Sequence, residues 1–361
     1  MAKIDAFFKL MHDQRASDLH LASGSPPILR IHGDLHRVKY KVLNNDELKA
    51  MLYEIAPEEK IKVFEETGDV DFAYEIPGLA RYRVNFFMQK NGVAAAFREI
   101  PSEVLTAEDL GLPKIMTKLA MLPRGLVLVT GPTGSGKSTT LAAIVDYANR
   151  NRKDHIITIE DPIEFVHESK RCLINHREVG THTKSFSAAL RGALREDPDI
   201  ILVGEMRDLD TIALALEAAM TGHLVMGTLH TISAAKTVDR VIDIFPAGQQ
   251  AQIRASLADA LRAVISQTMF KRVDIAGRCV AFEILVATPA VRNLIREAKT
   301  YQIPSMMQTG RKYGMQTLDD AIMDLLKKGW IDPDEAYNKC VDKAKFKPFA
   351  KSAPLDFTEV V

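Results

Sequence analysis

In the first hundred residues, the hydrophobic positions have a helical spacing in some segments and a strand spacing in others. Helical spacing covers three segments, which are Ala2–Gln14, Asp46–Ile55 and Glu58–Glu66. Strand-like runs include DVDFAYEI, ARYRVNFFM and VAAAFREI, with Pro77-Gly78 and Asn91-Gly92 as the turns between them. Two further extended segments flank Gly33-Asp34. The pattern predicts a small α+β domain over residues 1–100.

From about residue 115 nearly unbroken apolar runs alternate with helical patterns. These runs are GLVLVT, HIITIE, DIILVG, LVMGTLH and FEILV. Strands without polar alternation are buried on both faces, which is typical of a parallel sheet flanked by helices. We therefore expect an α/β domain over residues 115–345, with a linker at 101–114 and a mobile tail at 346–361. Open α/β sheets carry their chemistry at the carboxyl ends of the strands.

Composition narrows the class of protein. The 361 residues contain 47 basic and 47 acidic side chains, so the net charge is zero. The chain therefore lacks the excess of basic residues that is typical of nucleic-acid-binding proteins. The three cysteines have no paired spacing, which fits a reducing cytoplasm. No run reaches the ~18 apolar residues of a membrane span. We expect a cytoplasmic protein that reaches a membrane only through a partner.

A phosphate-binding loop is the strongest motif. GPTGSGKS matches G-x-x-x-x-G-K-[ST] and stands between an apolar strand and a helical pattern, as the mechanism requires. Lys137 is expected to reach the β- and γ-phosphates of ATP, and Ser138 to hold Mg²⁺. The residues predicted to bind nucleotide are Gly131, Pro132, Thr133, Gly134, Ser135, Gly136, Lys137, Ser138 and Thr139.

Carboxylates follow two of the apolar strands, where they could orient or deprotonate the attacking water. ITIEDPIEF provides Glu160 and Glu164, and IILVGEMRD provides Glu205. Gly204 occupies the position where many P-loop proteins have a metal-side Asp, so Glu205 is expected to reach Mg²⁺ through water. Asp208 is interpreted as a helix cap.

Two histidines and two arginines leave alternatives open. His223 and His230 flank the strand in TGHLVMGTLHT. They could sense the γ-phosphate, couple subunits or be ordinary hydrogen-bonded polar residues at the margin of the sheet. A strand period places Arg81 and Arg83 on one face of ARYRVNF, where they serve either as arginine fingers for a neighbouring subunit or as a solvated face.

Together these motifs resemble the secretion-ATPase superfamily and, within it, the PilT-type retraction ATPases of type IV pili. The resemblance covers about residues 15–320 through ASDLHL, GPTGSGKSTT, ITIEDPIEF, DIILVGEMRD and TGHLVMGTLHT. It implies a PAS-like N-terminal domain, a RecA-like ATPase domain and a homohexamer. It also implies finger roles for Arg81 and Arg83, coupling or sensing roles for His223 and His230, and Glu160 or Glu164 as the base beside Glu205.

Three observations favour the retraction branch over pilus-assembly and type II secretion ATPases. We expect no extra domain before residue 1, the stretch between Ser266 and Glu283 lacks a four-cysteine zinc site, and AVRNLI resembles a motif tied to retraction. The resemblance thus implies ATP-driven pilus retraction by domain closure, with an inner-membrane platform protein as partner. An assembly or secretion ATPase and a nucleic-acid translocase remain the alternatives.

Overall fold

The computed structural model of the chain describes residues 3–31, 33–100 and 104–351. The chain forms two compact units. One comprises Met1–Glu103 and Glu164–Val166, and the other comprises Val104–Ile163 and His167–Val361. Within the described ranges, no helix combines the length and the apolar character that crossing a bilayer requires.

The first unit is an antiparallel sheet covered by three helices. Its elements are α1 (Asp5–Asp13), β1 (Asp18–Ala22), β2 (Ile28–Ile31), β3 (Asp34–Arg37), α2 (Asn45–Tyr53), α3 (Glu58–Thr67), β4 (Asp69–Ile76), β5 (Ala80–Gln89) and β6 (Gly92–Ile100). The strand order is β3-β2-β1-β6-β5-β4, and every neighbouring pair is antiparallel. The three hairpin strands predicted from the sequence are therefore confirmed as β4, β5 and β6.

Strand β5 shows the alternation that its sequence predicts. Tyr82, Val84 and Phe86 point into an apolar core and are at most 1% exposed. Arg81 and Arg83 lie on the other face, where Glu75 and Asp71 of β4 are 3.9 and 3.8 Å away. These long, partly exposed ion pairs contribute little to stability, so the face is solvated in the single chain.

The second unit contains the P-loop and is built on a larger sheet. Its strands are β7 (Gly125–Thr130), β8 (His155–Glu160), β9 (Leu173–Glu178), β10 (Ile200–Val203), β11 (Leu224–Leu229), β12 (Leu261–Lys271) and β13 (Arg278–Val286). Its helices are α4 (Lys114–Ala120), α5 (Lys137–Asn151), α6 (Phe186–Ala193), α7 (Leu209–Thr221), α8 (Ala234–Asp243), α9 (Ala247–Ala260), α10 (Pro289–Arg296), α11 (Ile303–Thr309), α12 (Leu318–Lys327), α13 (Pro333–Lys339) and α14 (Lys343–Phe346). Short 3-10 helices cover Thr300–Gln302, Arg311–Tyr313 and Lys347–Phe349.

The order of this sheet is β13-β12-β7-β11-β10-β8-β9, and helices cover both faces. Helices α4 and α5 pack on one face, whereas α6 to α10 pack on the other. The strands from β12 to β9 are all parallel to their neighbours. This is the expected RecA-like α/β architecture, and the predicted fold class is confirmed.

Two details of the sheet differ from the prediction. FEILV, expected to be a parallel strand, lies in β13 and pairs antiparallel with β12. The reason is the short connection between these strands, because a parallel partner needs a crossover of a dozen or more residues. Strand β9 was not predicted because its sequence, LINHRE, is polar, as edge strands tolerate.

The first residues of the predicted mobile tail, up to Lys351, contact the rest of the second unit. Phe346 is fully buried in a cluster with Phe270, Ile322 and Tyr337. The chain then continues through a 3-10 helix, and the amide of Lys351 donates to Asp334. Burial of a phenylalanine ring stabilises this segment by about 2 kcal/mol, which accounts for the correction. The remainder of the predicted tail, residues 352–361, lies outside the described residues.

Candidate functional site

The phosphate loop connects β7 to α5 and relies on glycine for its shape. Gly131, directly after the buried strand, has φ 141°. A Cβ atom added there would lie 2.5 Å from the carbonyl oxygen of Gln267 and 2.6 Å from Ser135 Oγ. A side chain at this position would therefore clash with backbone as well as being conformationally strained. The glycine permits the tight turn that exposes the loop to a ligand.

Lys137 closes the loop on itself. Its side chain is 9% exposed, and Nζ donates to the carbonyl oxygens of Gly131 at 3.0 Å and Pro132 at 3.1 Å. Ser138 and Thr139 follow in the first turn of α5, a helix of 15 residues. A helix N-terminus favours anions, and the ammonium adds a full positive charge. The loop therefore has the charge and backbone geometry that favour an anion, and the assignment of its residues to nucleotide stays a prediction.

Gln267 of β12 supports the loop from behind, and the sequence analysis missed it. The side chain is 1% exposed, and its Nε2 donates to the carbonyl oxygen of Ser135 at 3.1 Å. A glutamine inside an apolar strand is the signal that could have identified it, because a buried amide requires partners. Its function is to hold the loop against the neighbouring strand.

Glu205 lies just past the end of β10, beside the end of β11. Its Oε1 accepts hydrogen bonds from His230 Nε2 at 2.7 Å and from Arg207 Nε at 2.5 Å. Burial alone would raise the pKa of this carboxyl, but the Arg207 guanidinium and His230 outweigh burial and hold the pKa below its ordinary value. The group is therefore a carboxylate at neutral pH. Arg207 is a second residue that the sequence analysis missed.

The surroundings of Gly204 explain why the end of β10 lacks the metal-side Asp that many P-loop proteins have. A Cβ atom at Gly204 would lie 3.2 Å from the carbonyl oxygen of Ile159 and 3.3 Å from Glu160 Cα. The hydroxyl of Thr228 donates to the Gly204 carbonyl oxygen at 2.5 Å and holds this backbone in place. An Asp at 204 would be crowded by the tip of β8, where a carboxylate already stands. The neighbouring strand thus contributes the second acid.

Glu160 is the last residue of β8 and is buried at 7% exposure. It pairs in register with Glu178 of β9, whose carboxylate accepts the Ile163 amide at 3.1 Å and the Thr181 hydroxyl at 3.0 Å. Glu164, by contrast, is exposed and falls in the short stretch assigned to the other unit. The structure therefore brings Glu160 and Glu205 to one sheet edge, and the choice of base stays a prediction.

His182, which had no sequence interpretation, stabilises the turn after β9. Its Nδ1 accepts the amide of Glu178 at 3.0 Å, and its own amide donates to the Glu178 carbonyl oxygen at 2.7 Å. The residue is therefore a local turn stabiliser.

The two predicted histidines lie at opposite ends of β11. His230 is at the carboxyl end, but His223 precedes the strand, where its backbone carbonyl accepts the amide of Gly125. The six residues of β11 lie between them, which separates the two histidines by roughly 20 Å. His223 therefore does not lie at the sheet edge that carries the phosphate loop and Glu205, and its role in phosphate sensing or in coupling subunits stays a prediction. Asp208 caps α7 through the amide of Thr211 at 2.8 Å, which confirms its interpretation.

A cavity of about 680 Å³ adjoins the outer side of the phosphate loop. Its wall is formed by Pro132–Ser135 and, across from the loop, by Ser233, Met269 and Lys339. This volume is typical of pockets that bind small molecules. The loop therefore has open space beside it within a single domain.

Comparison with known proteins agrees with this site. The family model described as "Type II/IV secretion system protein" matches residues 3–337. The type IV pilus retraction ATPase PilT of Pseudomonas aeruginosa is 57% identical over 326 residues, which are 90% of this chain and 94% of that protein. A twitching motility protein of Neisseria gonorrhoeae is 53% identical, with 89% and 88% coverage.

A solved structure is also similar. The crystal structure of the pilus retraction motor PilT with bound ADP superimposes with a TM-score of 0.89 at 44% identity, covering 96% of this chain and 99% of that one. The similarity includes both units of the fold.

Proposed function

Because the chain belongs to the type II/IV secretion system protein family and is a PilT-type ATPase, we propose that it works as one subunit of a homohexameric motor that retracts type IV pili. The observation that carries the proposal is the shared sheet edge. The phosphate loop follows β7, His230 follows β11 and Glu205 follows β10, and these strands are consecutive and parallel. Their tips span about 10 Å, because neighbouring strands lie roughly 4.8 Å apart.

In this proposal ATP binds with its phosphates on the loop amides from Gly131 to Ser138. Lys137 exchanges its loop carbonyl partners for the β- and γ-phosphates, since a charged acceptor forms the stronger hydrogen bond. Thr139 and the first turn of α5 complete the cradle. The adjoining cavity provides room for rearrangement of the loop.

Magnesium fits the residues present. The oxygens of Ser138 and Glu205 suit Mg²⁺, which keeps several waters and binds through one or two protein oxygens plus substrate phosphates. Ser138 would hold the ion directly and Glu205 through water, and the ion would neutralise charge on the phosphates. The ionised state of Glu205 suits this task.

Hydrolysis needs one group that orients the attacking water and one base that accepts its proton, and we assign these roles to different glutamates. Arg207 and His230 hold Glu205 as an anion of low proton affinity, which favours orientation of water over acceptance of its proton. We assign the base to Glu160 or Glu164, as the resemblance implies. His230 donates to Glu205, so a γ-phosphate that competes for this donor would be sensed by the pair.

Assembly into a ring would complete the site and convert hydrolysis into motion. Arg81 and Arg83 of a neighbouring subunit would reach the γ-phosphate as arginine fingers only in the closed state, which gives ATP the unequal affinity that drives closure. Side-chain exposure of 45% leaves Arg83 accessible to a partner. Sequential closure would turn an inner-membrane pilus platform protein from the cytoplasmic side, where the motor is peripherally associated.

The test is deletion in the host followed by complementation. We expect pili to accumulate on the deletion strain and twitching to cease, with rescue by the wild-type gene and none by Lys137→Ala, which removes the ammonium. Purified Lys137→Ala should lose ATP hydrolysis by about 100-fold or more. Loss of pili on deletion would instead indicate an assembly motor and overturn the direction proposed here.

A further inference from the structure

Four hydroxyl groups form a network behind the phosphate loop, inside an apolar core. We call Thr130, Thr231, Thr237 and Ser266 the hydroxyl network. Thr237 Oγ1 lies 2.7 Å from Thr231 Oγ1 and 3.4 Å from Thr130 Oγ1, and Thr130 Oγ1 lies 2.6 Å from Ser266 Oγ. Thr130 and Thr237 are fully buried and Ser266 is 2% exposed.

Each member of the network borders a part of the site. Thr130 is the last residue of β7 and precedes Gly131, whereas Thr231 follows His230 directly. Ser266 precedes Gln267, which holds the Ser135 carbonyl. The network therefore joins the base of the phosphate loop to the segment that carries His230.

Thr237 is the centre of this arrangement. Besides its contacts with Thr231 and Thr130, its hydroxyl donates to the carbonyl oxygen of Ser233 at 2.7 Å. A hydroxyl has one proton, and the shorter bond to the Ser233 carbonyl uses it, so Thr130, at 3.4 Å, can pair with Thr237 only by donating its own proton. Valine has the same shape but no hydroxyl, and it would leave the neighbouring buried hydroxyls with fewer partners.

The start of α8, on which Thr237 stands, is anchored independently. Glu283 of β13 is 9% exposed, and its Oε1 accepts the amide of Ala234, the first residue of α8, at 2.6 Å. Ser233 caps the helix through the amide of Lys236 at 3.3 Å. The first turn of α8 is therefore a fixed point that begins four residues after His230.

We propose that Thr237 is a positioning residue, whose hydroxyl sets the His230 segment relative to the phosphate loop. This inference rests on the proposed ATPase function. A phosphate that shifts the loop would shift Thr130, and the network would pass this movement to His230 and to the hydrogen bond with Glu205. Thr237 itself touches no substrate and acts only through His230.

Two substitutions of Thr237 separate a hydrogen-bonding role from a packing role. Thr237→Val keeps the shape and removes the hydroxyl, whereas Thr237→Ser keeps the hydroxyl and removes a methyl group. We expect kcat for ATP to fall at least about 10-fold in Thr237→Val with KM within about 3-fold, as loss of a transition-state interaction predicts. Thr237→Ser should restore kcat to within about 3-fold of the wild type. Thr221→Val, at an exposed position of α7, is the control.

The double variant with His230→Gln provides a readout that packing would not change. If Thr237 acts through His230, Thr237→Val adds little to the loss already caused by His230→Gln, since the two effects are not additive. Equal activity of Thr237→Val and the wild type, a larger loss in Thr237→Ser than in Thr237→Val, or additive losses would each overturn the inference.

Two further outcomes are distinguishable. If Thr237→Val does not fold, Thr231→Val removes the next hydroxyl of the network and is held to the same criteria. Absence of ATP hydrolysis by the wild-type chain would contradict the proposed function. Hydrolysis by the wild type and by Thr237→Val at equal rates would contradict only the positioning role.

Discussion

The tips of β8 and β10 both end in glutamate, yet the two carboxylates have different surroundings. Glu160 belongs to its strand, is 7% exposed and stands beside Gly204 and in register with Glu178. Glu205 lies past its strand, has a side chain 19% exposed and accepts hydrogen bonds from Arg207 and His230. Similar sequence patterns have thus produced one buried acid in a strand pair and one acid held by a guanidinium and an imidazole.

This difference indicates a division of roles. The hydrogen bonds from Arg207 and His230 preserve the charge of Glu205, which suits a group that orients water and supports a metal ion. Glu160 depends on the pairing of β8 with β9, so its position is sensitive to the stability of that edge. Each acid can therefore be perturbed through neighbours that do not affect the other.

The largest expected effect separates the two acids directly. Glu205→Gln should reduce kcat by about 1,000-fold while ATP affinity changes little, because the carboxylate acts on the transition state more than on bound substrate. Glu160→Gln should reduce kcat by about 100-fold if Glu160 is the base. Steady-state ATP hydrolysis and nucleotide titration measure both. Near-normal turnover in Glu160→Gln would reassign the base to Glu164.

The free energy of unfolding should fall at acidic pH because of His167, a buried histidine between β8 and β9. His167 packs against His176 of β9, and burial, followed by the nearby His176, lowers its pKa from 6.5 to about 4. Because the unfolded histidine takes up its proton near pH 6.5 and the folded one only near its lowered pKa, the stability present above pH 6.5 is lost progressively as the pH falls from the unfolded to the folded pKa. Between pH 7 and pH 5 the free energy of unfolding should fall by about 2 kcal/mol from this group.

Urea unfolding at both pH values measures this effect in the wild type and in His167→Phe, which cannot titrate. The pH dependence should shrink in His167→Phe and persist in His36→Gln, which replaces an exposed histidine. An unchanged pH dependence in His167→Phe would show that other groups cause the acid sensitivity.

The smallest effect concerns the charge around Glu205. Because the Arg207 guanidinium contributes to the lowered pKa of Glu205, Arg207→Gln should move the acid limb of the kcat–pH profile to higher pH. Activity at pH 8 should remain close to that of the wild type, since Glu205 is ionised there in both proteins. The matched control is Arg191→Gln, on the exposed side of α6. An unshifted limb would mean that another group titrates in the rate-limiting step.

Much of the site follows from local patterns. GPTGSGKS between an apolar strand and a helix was sufficient to predict the phosphate loop, and the polar residues after β8, β10 and β11 identified Glu160, Glu205 and His230. The alternation in ARYRVNF predicted both faces of β5, and Asp208 was recognised as a cap. These features depend on residues a few positions apart, whose geometry the backbone period determines.

The tertiary structure decided what depends on distant residues. Strand order places Gln267 behind the phosphate loop and Glu160 beside Gly204, and neither neighbour can be inferred from spacing along the chain. The direction of β11 puts His223 at the far edge of the sheet, although it is only seven residues from His230. Arg207 became significant only when its side chain met Glu205, and the hydroxyl network exists only because β7, β12 and α8 converge. Periodicity specifies what each segment becomes, whereas contacts between segments arise from packing and strand pairing across more than a hundred residues.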